Sequence, residues 1–258
     1  MRRIAVITGA SSGIGEAIAR TLTREGWACV LVARREERLR ALADEIGAEI
    51  EVCDVGDRAA VEALAARVLE RHPTLHLLVN NAGMPARGTF LEVDLDLVEE
   101  VMRVNYLGGV WCSRMLQPGL EAGAKAGGAH IVNLVSVAGT VSFAPAGAYA
   151  ASKHAQLAYS RSLGAALHDS SIQVHSVLPG FVETEGFPQK KVLKSRLLRS
   201  FVIEADDVAN TVVKAIEKGK SECVVPWFPY RLVGIAQAVA PGLVARFVGM
   251  SAHRGESV

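Results

Sequence analysis

Residues 4–15 read Ile4-Ala5-Val6-Ile7-Thr8-Gly9-Ala10-Ser11-Ser12-Gly13-Ile14-Gly15. The short apolar run Ile4–Thr8 reads as a buried strand. A helical pattern then runs from Gly13 to Arg24 and is ended by Gly26. Strand, glycine-rich turn and helix N-terminus in this order form the setting a pyrophosphate requires. The glycines let the backbone come close, and the helix end offers unpaired N–H groups and a positive dipole. Gly9, Ser11, Ser12, Gly13, Ile14 and Gly15 are therefore candidate dinucleotide contacts.

Outward from this stretch, strand and helix patterns alternate. Strands are expected at Ala28–Ala33, Glu49–Cys53, Leu75–Val79, Ala129–Leu134, Ile172–Val177 and Cys223–Val225. Helices are expected at Glu36–Ile46, Arg58–Glu70 behind an Asp57 cap, Leu95–Leu116, Tyr149–Leu167 and Val208–Lys218. Continuous apolar strands separated by helices imply an α/β fold, with a parallel sheet covered on both faces.

The chain has 258 residues, 50% of them apolar and 5% aromatic, with a formal net charge of +1. That balance gives no electrostatic case for nucleic acid. Cys29, Cys53, Cys112 and Cys223 form no CxxC pair and lie in apolar segments, as reduced thiols do. The histidines lack ligand spacing, so no metal is expected. Arg2 and Arg3 precede an apolar run too short for a signal peptide, and the expected location is cytoplasmic.

The end of the second strand bears on the cofactor. An acidic residue there would accept from a ribose 2′-hydroxyl, whereas this chain has Arg34 and Arg35. A guanidinium pairs with a 2′-phosphate. NADP(H) is therefore expected over NAD(H), with Arg34 the first candidate, Arg35 the second, and Ser11 adding a hydroxyl. These arginines equally suit the exposed start of a helix. Asp54-Val55 follows the third strand, where Asp54 could accept from an adenine amino group or cap the next helix. Asn81, Ala82 and Gly83 follow the fourth and let backbone pass beside a ribose.

Three further residues carry chemistry. Ser136 follows the fifth strand. Tyr149 and Lys153, four apart, project from one helix face among small residues. A tyrosine with a pKa of about 10 holds its proton too tightly to cycle near neutrality. An ammonium or an oxidised nicotinamide ring nearby would stabilise the phenolate. Ser136 would hold a substrate oxygen in line for hydride transfer.

With these residues assembled, the chain resembles the short-chain dehydrogenase/reductase family over residues 3–226. The motifs occur in order: Thr8–Gly15, Asp54-Val55, Asn80–Gly83, Asn105, Ser136, Tyr149 with Lys153, and Pro179-Gly180. The resemblance implies a Rossmann-type, doubly wound seven-stranded parallel sheet, and interconversion of a ketone or aldehyde with its alcohol. It implies Tyr149 as acid/base, Lys153 lowering its pKa and gripping the ribose, Ser136 orienting substrate, and Asn105 holding a relay water. It also implies that Pro179, Gly180, Val182 and Thr184 contact the nicotinamide half, and that helix pairing gives a homodimer or homotetramer. Two departures are visible. Ser12 stands where many members have a basic residue. The ending Ser221–Pro226 is unlike that of the fatty-acid-synthesis reductases.

Residues 1–226 form the expected catalytic unit, including a substrate-covering segment at about 183–203. There Lys190, Lys191, Lys194, Arg196 and Arg199 alternate with Phe187, Leu193, Leu197 and Leu198. Its charges suit either a solvated face or an acidic thioester carrier. Met84, Phe143, Phe181 and Phe187 are candidate pocket walls beside Ser136 and Tyr149. The apolar tail 227–258 suits packing on the same domain, on a second subunit, or peripherally on a membrane through 227–250. Leu232–Ala245 is too short to span a bilayer. A sensor or scaffold that binds NADP(H) without turnover is one alternative function, and retention of Asn105, Ser136, Tyr149 and Lys153 argues against it; a membrane-peripheral reductase of lipid-like ketones is the other.

Overall fold

Seven parallel strands build the main sheet of the computed structural model, which describes residues 2–142, 145–185 and 202–244. The first six in chain order are β1 (Ile4–Thr8), β2 (Ala28–Ala33), β3 (Glu49–Val52), β4 (Leu77–Asn80), β5 (Ala129–Leu134) and β6 (Ile172–Pro179). Two short strands then form a separate pair, β7 (Phe181–Val182) with β8 (Val202–Ile203). The chain returns to the main sheet as β9 (Glu222–Val225). The order across the sheet is β3-β2-β1-β4-β5-β6-β9, so the direction of winding reverses between β1 and β4. That switch point opens a crevice at the carboxyl ends of the strands.

Alternation along each strand sorts the core into two layers. Ala5, Ile7, Cys29, Leu31, Leu77 and Val79 point to one face. They pack with Ile18 and Leu22 of α1 (Gly13–Arg24) and Leu39 of α2 (Glu36–Ile46). Val6, Val30, Val32 and Leu78 point to the other. They meet Leu64 and Val68 of α3 (Arg58–Arg71). Burial on both faces explains why the strands read as unbroken apolar runs.

The expected long helix 95–116 is interrupted. α4 (Leu95–Met102) passes through a π-helical turn, Arg103–Leu107, into α5 (Gly108–Met115). A π turn inserts one residue without breaking the apolar pattern, so the sequence reads through it. α6 (Gln117–Lys125) follows, a helix that local propensity does not mark, since Pro118, Gly119 and Gly123 are poor helix formers. Pro118 instead starts the helix, where its missing N–H costs nothing. Gly123 permits contact: a Cβ there would lie 1.9 Å from the Leu75 carbonyl oxygen. Leu75 precedes β4, whose start at Leu77 is later than the apolar pattern suggests.

A 3-10 turn (Val137–Gly139) leads from β5 toward α7 (Gly147–Ala166). A buried polar chain ties this helix to the sheet. Asn80 Nδ2 donates to Ser113 Oγ at 3.0 Å and Asn133 Oδ1 at 2.9 Å. Asn133 Nδ2 donates to Ser160 Oγ at 2.9 Å, which meets Ser176 Oγ at 2.8 Å. α8 (Ala205–Glu217) covers the α1 side, and α9 (Tyr230–Val239) carries the tail. Among the described residues, no helix is long and apolar enough to cross a membrane. None of them form a group of three or more potential metal ligands.

Candidate active site

The glycine turn between β1 and α1 is built for close backbone approach. Gly9 has φ +66, and a Cβ there would lie 2.8 Å from Ala82 Cα. A Cβ at Gly15 would lie 2.3 Å from the Gly9 carbonyl oxygen. Asn81 stitches the turn to β4: its Nδ2 donates to the Thr8 carbonyl at 2.9 Å and the Gly9 carbonyl at 3.2 Å. Thr8 Oγ1 accepts from the backbone N–H of Asn81 and Ala82 at 3.0 and 3.1 Å. Asn81 and Ala82 thus shape the turn. Ser12 caps α1 without a side-chain hydrogen bond, leaving the first-turn N–H groups to an outside acceptor. Ile14 packs on the core, and Thr184 rests over Gly13, where a Cβ would lie 3.1 Å from its Cβ. These residues fit a dinucleotide pyrophosphate.

The two arginines after β2 have different neighbours. Arg35 donates from Nε to Ser11 Oγ at 3.1 Å, and from Nη2 to Ser11 Oγ at 3.0 Å and Ser12 Oγ at 2.5 Å. Arg34 instead pairs with Asp54 at 3.5 Å. Arg35 thus folds back over the glycine turn, whereas Arg34 lies against Asp54. Glu185 lies 3.5 Å from Arg35 and is paired with Arg38, which holds its carboxyl below the usual range. Asp54 Oδ1 accepts from the Gly56 N–H at 2.9 Å, while Asp57 caps α3 through Ala59 and Ala60. Val55 is buried.

Ser136, Tyr149 and Lys153 come together past the end of β5. Ser136 Oγ accepts from the Ala138 N–H at 3.1 Å, lies 3.5 Å from the Pro179 carbonyl oxygen, and hydrogen-bonds the Tyr149 side chain. Burial pushes Tyr149 up to about 12, opposed by the Ser136 hydrogen bond. Burial pushes Lys153 down to about 7. In the protein alone, desolvation thus outweighs the lowering of Tyr149 expected from its lysine neighbour. Lys153 Nζ stands 5.8 Å from the Tyr149 ring centroid and donates to the Leu134 carbonyl at 2.9 Å and Gln156 Oε1 at 2.8 Å. Sequence reasoning missed Gln156, a polar residue in a helix of mixed pattern with no signal to single it out.

Asn105 sits in the π-helical turn and is 1% exposed. Its Oδ1 accepts from the Met84 N–H at 2.8 Å, and its Nδ2 donates to the Met84 carbonyl and to Ser152 Oγ, both at 3.0 Å. A Cβ on Gly83 would lie 3.3 Å from Asn105 Oδ1 and 3.8 Å from Lys153 Nζ, so glycine keeps that corner open. Met84 packs in a small cluster with Val101 and Tyr149. Phe181 meets Tyr230 edge to face at 6.1 Å. Tyr230 also closes on Gly180, where a Cβ would lie 2.2 Å from its ring, so the start of the tail rests on the turn after β6. Val182 is buried and pairs with Ile203. Phe143 and Phe187, with most of the segment 183–203, lie outside the described residues.

Comparison with known proteins shows the family and the fold. The family described as short chain dehydrogenase matches residues 3–192. A Streptomyces coelicolor protein named as a candidate ketoacyl reductase is 40% identical over 188 residues, 70% of this chain and 71% of that one. Dehydrogenase/reductase SDR family member 7B of Danio rerio is 31% identical over 86% of this chain and 77% of its own. A solved variant of actinorhodin polyketide ketoreductase with NADPH superposes at a TM-score of 0.78, with 31% identity over 87% of this chain and 95% of that one. A Burkholderia phymatum short chain dehydrogenase/reductase in complex with NAD gives 0.79, with 30% identity over 92% and 95%. The chain is an oxidoreductase belonging to the short-chain dehydrogenase/reductase family.

Proposed function

We propose that this protein interconverts a ketone or aldehyde and its alcohol with NADP(H), using Tyr149 as the proton donor and acceptor. The observation that carries the reading is the half-buried Tyr149, its side chain hydrogen-bonded to Ser136 and its ring 5.8 Å from Lys153 Nζ. A bound nicotinamide dinucleotide supplies or accepts the hydride. The remaining work belongs to the side chains. Ser136 holds the substrate oxygen. Tyr149 gives it a proton; burial holds that proton tightly in the protein alone, and positive charge from Lys153 and an oxidised nicotinamide would ease its release. Lys153 supplies positive charge as the phenolate forms and a donor toward the ribose. Asn105 orders the Met84 backbone at the edge of the site and is the candidate holder of a relay water.

Arg35 with Ser11 and Ser12 is the proposed seat of the 2′-phosphate, a guanidinium and two hydroxyls converging at the end of β2. The solved relatives include one with NADPH and one with NAD, so the preference rests on these side chains. Pro179, Gly180, Val182 and Thr184 are proposed for the nicotinamide half, and Met84 and Phe181 for the substrate side. Residues 1–226 are proposed as the catalytic unit, acting as a homodimer or homotetramer in the cytoplasm. The test is spectrophotometric: NADPH and NADH consumption in parallel across ketones, aldehydes, diketones, steroids and 3-oxoacyl thioesters. Turnover with NADPH well above that with NADH supports the reading, and equal turnover removes the cofactor assignment.

A second reading concerns the tail. Trp227, Phe228, Leu232, Ile235, Val239 and Leu243 are all at least 47% exposed. That apolar surface suits peripheral attachment to a bilayer. Co-sedimentation with anionic vesicles tests it, and a protein that stays in the supernatant rejects it.

A further inference from the structure

Lys153 is held by a side chain to which no family motif gives a role. Gln156 lies one turn later on α7, on the same face, and is 2% exposed. Its Oε1 accepts from Lys153 Nζ at 2.8 Å, and the Leu134 carbonyl accepts a second bond at 2.9 Å. An ammonium has three donors. Two are therefore fixed by protein dipoles, and the third is left for the corner kept open by Gly83. Asn105 is engaged with Met84 and Ser152.

We propose that Gln156 is a positioning residue for the reaction, fixing the Lys153 ammonium so that its remaining donor and its charge face the cofactor and Tyr149. The proposal rests on the reading of Lys153 as part of the catalytic group. A buried ammonium loses its water shell and survives as a charge only where dipoles replace that shell. Burial is the cause of the downward shift of Lys153, so the strength of its two acceptors decides how much charge remains near neutrality. Tyr149 is the titratable group beside it. β5 contributes the Leu134 carbonyl, the π-helical turn the neutral Asn105, and the segment after β4 the bare Gly83. A glutamine that merely filled space would be indifferent to the lysine's protonation.

The test uses the full chain labelled with ε-13C lysine, titrated by NMR, together with the pH profile of kcat/KM and the Tm. Gln156→Leu removes the acceptor at similar volume. The Lys153 midpoint and the high-pH limb of activity are both expected to move down by about one pH unit, the equivalent of one charge-assisted hydrogen bond. Gln156→Glu replaces the amide by a carboxylate and is expected to move both upward. If Gln156→Leu does not fold, the upward shift in Gln156→Glu decides. Unmoved midpoints and limbs overturn the proposal. Wild-type-like turnover by Lys153→Met overturns the catalytic reading of Lys153 and the role of Gln156 with it. Lost turnover there, with an unmoved midpoint in Gln156→Leu, overturns the role of Gln156 alone.

Discussion

Arg35→Ala is expected to change cofactor choice with little effect on folding. The guanidinium touches the Ser11 and Ser12 hydroxyls at 2.5–3.1 Å and lies 3.5 Å from the Glu185 carboxylate. Replacing it removes a charge-assisted contact worth roughly 1.5–3 kcal/mol in a sheltered site. The side chain is 44% exposed, so screening favours the lower half of that range, about 1.5–2 kcal/mol. That corresponds to a loss of roughly 10- to 30-fold in kcat/KM for NADPH. NADH lacks the phosphate and should lose little. Arg34→Ala serves as the internal comparison: its side chain is 63% exposed and already paired with Asp54, so its effect should be several-fold smaller. Steady-state kinetics with both cofactors, at low and moderate salt, measures all of this. Equal losses for NADPH and NADH in Arg35→Ala, or a larger NADPH loss in Arg34→Ala, would refute the assignment.

Two stability predictions come from buried polar groups. Asn133→Ala strips partners from Asn80 and Ser160 at once, and should cost about 2–4 kcal/mol, lowering Tm by roughly 4–16 °C. A change below a few degrees would mean that the polar chain contributes little. His130 is pushed down to about 4, first by burial and then by His175, and burial lowers His175 in the same direction. Both are therefore neutral in the fold, while the unfolded chain takes up protons below about pH 6.5. Stability should be full above that pH and fall as pH drops from 6.5 toward 4, by about 2 kcal/mol for His130 after allowing for its partial exposure. Urea unfolding at pH 7 and pH 5 measures it, and equal stabilities would count against the buried neutral pair.

The legible part of the fold is whatever local pattern alone dictates. β1, β2, β5, α1 and α2 stand where their apolar runs and glycine stops put them. The misses have a common cause, contacts distant in sequence. Gly119 and Gly123 look like breakers until Leu75 is found against them. The π-helical turn is invisible because it preserves the apolar face while shifting the register that aims Asn105 at Met84. In the site, Ser136, Tyr149 and Lys153 are readable because helix spacing and a strand end fix where they project. Choosing between Arg34 and Arg35 needs the fold: adjacent residues leave β2 in different directions, one toward Asp54 and one over the glycine turn. Gln156 has meaning only once Lys153 Nζ is seen against it.

Tyr149, on this account, moves the proton that accompanies hydride transfer. The most direct test is Tyr149→Phe on whichever substrate the wild-type protein turns over, with NADPH binding followed by fluorescence. The expected result is a loss of at least about 100-fold in kcat, the low end for general acid–base catalysis, with NADPH affinity unchanged within a few-fold. Turnover near the wild-type rate with binding intact would contradict the account and assign the proton to another group.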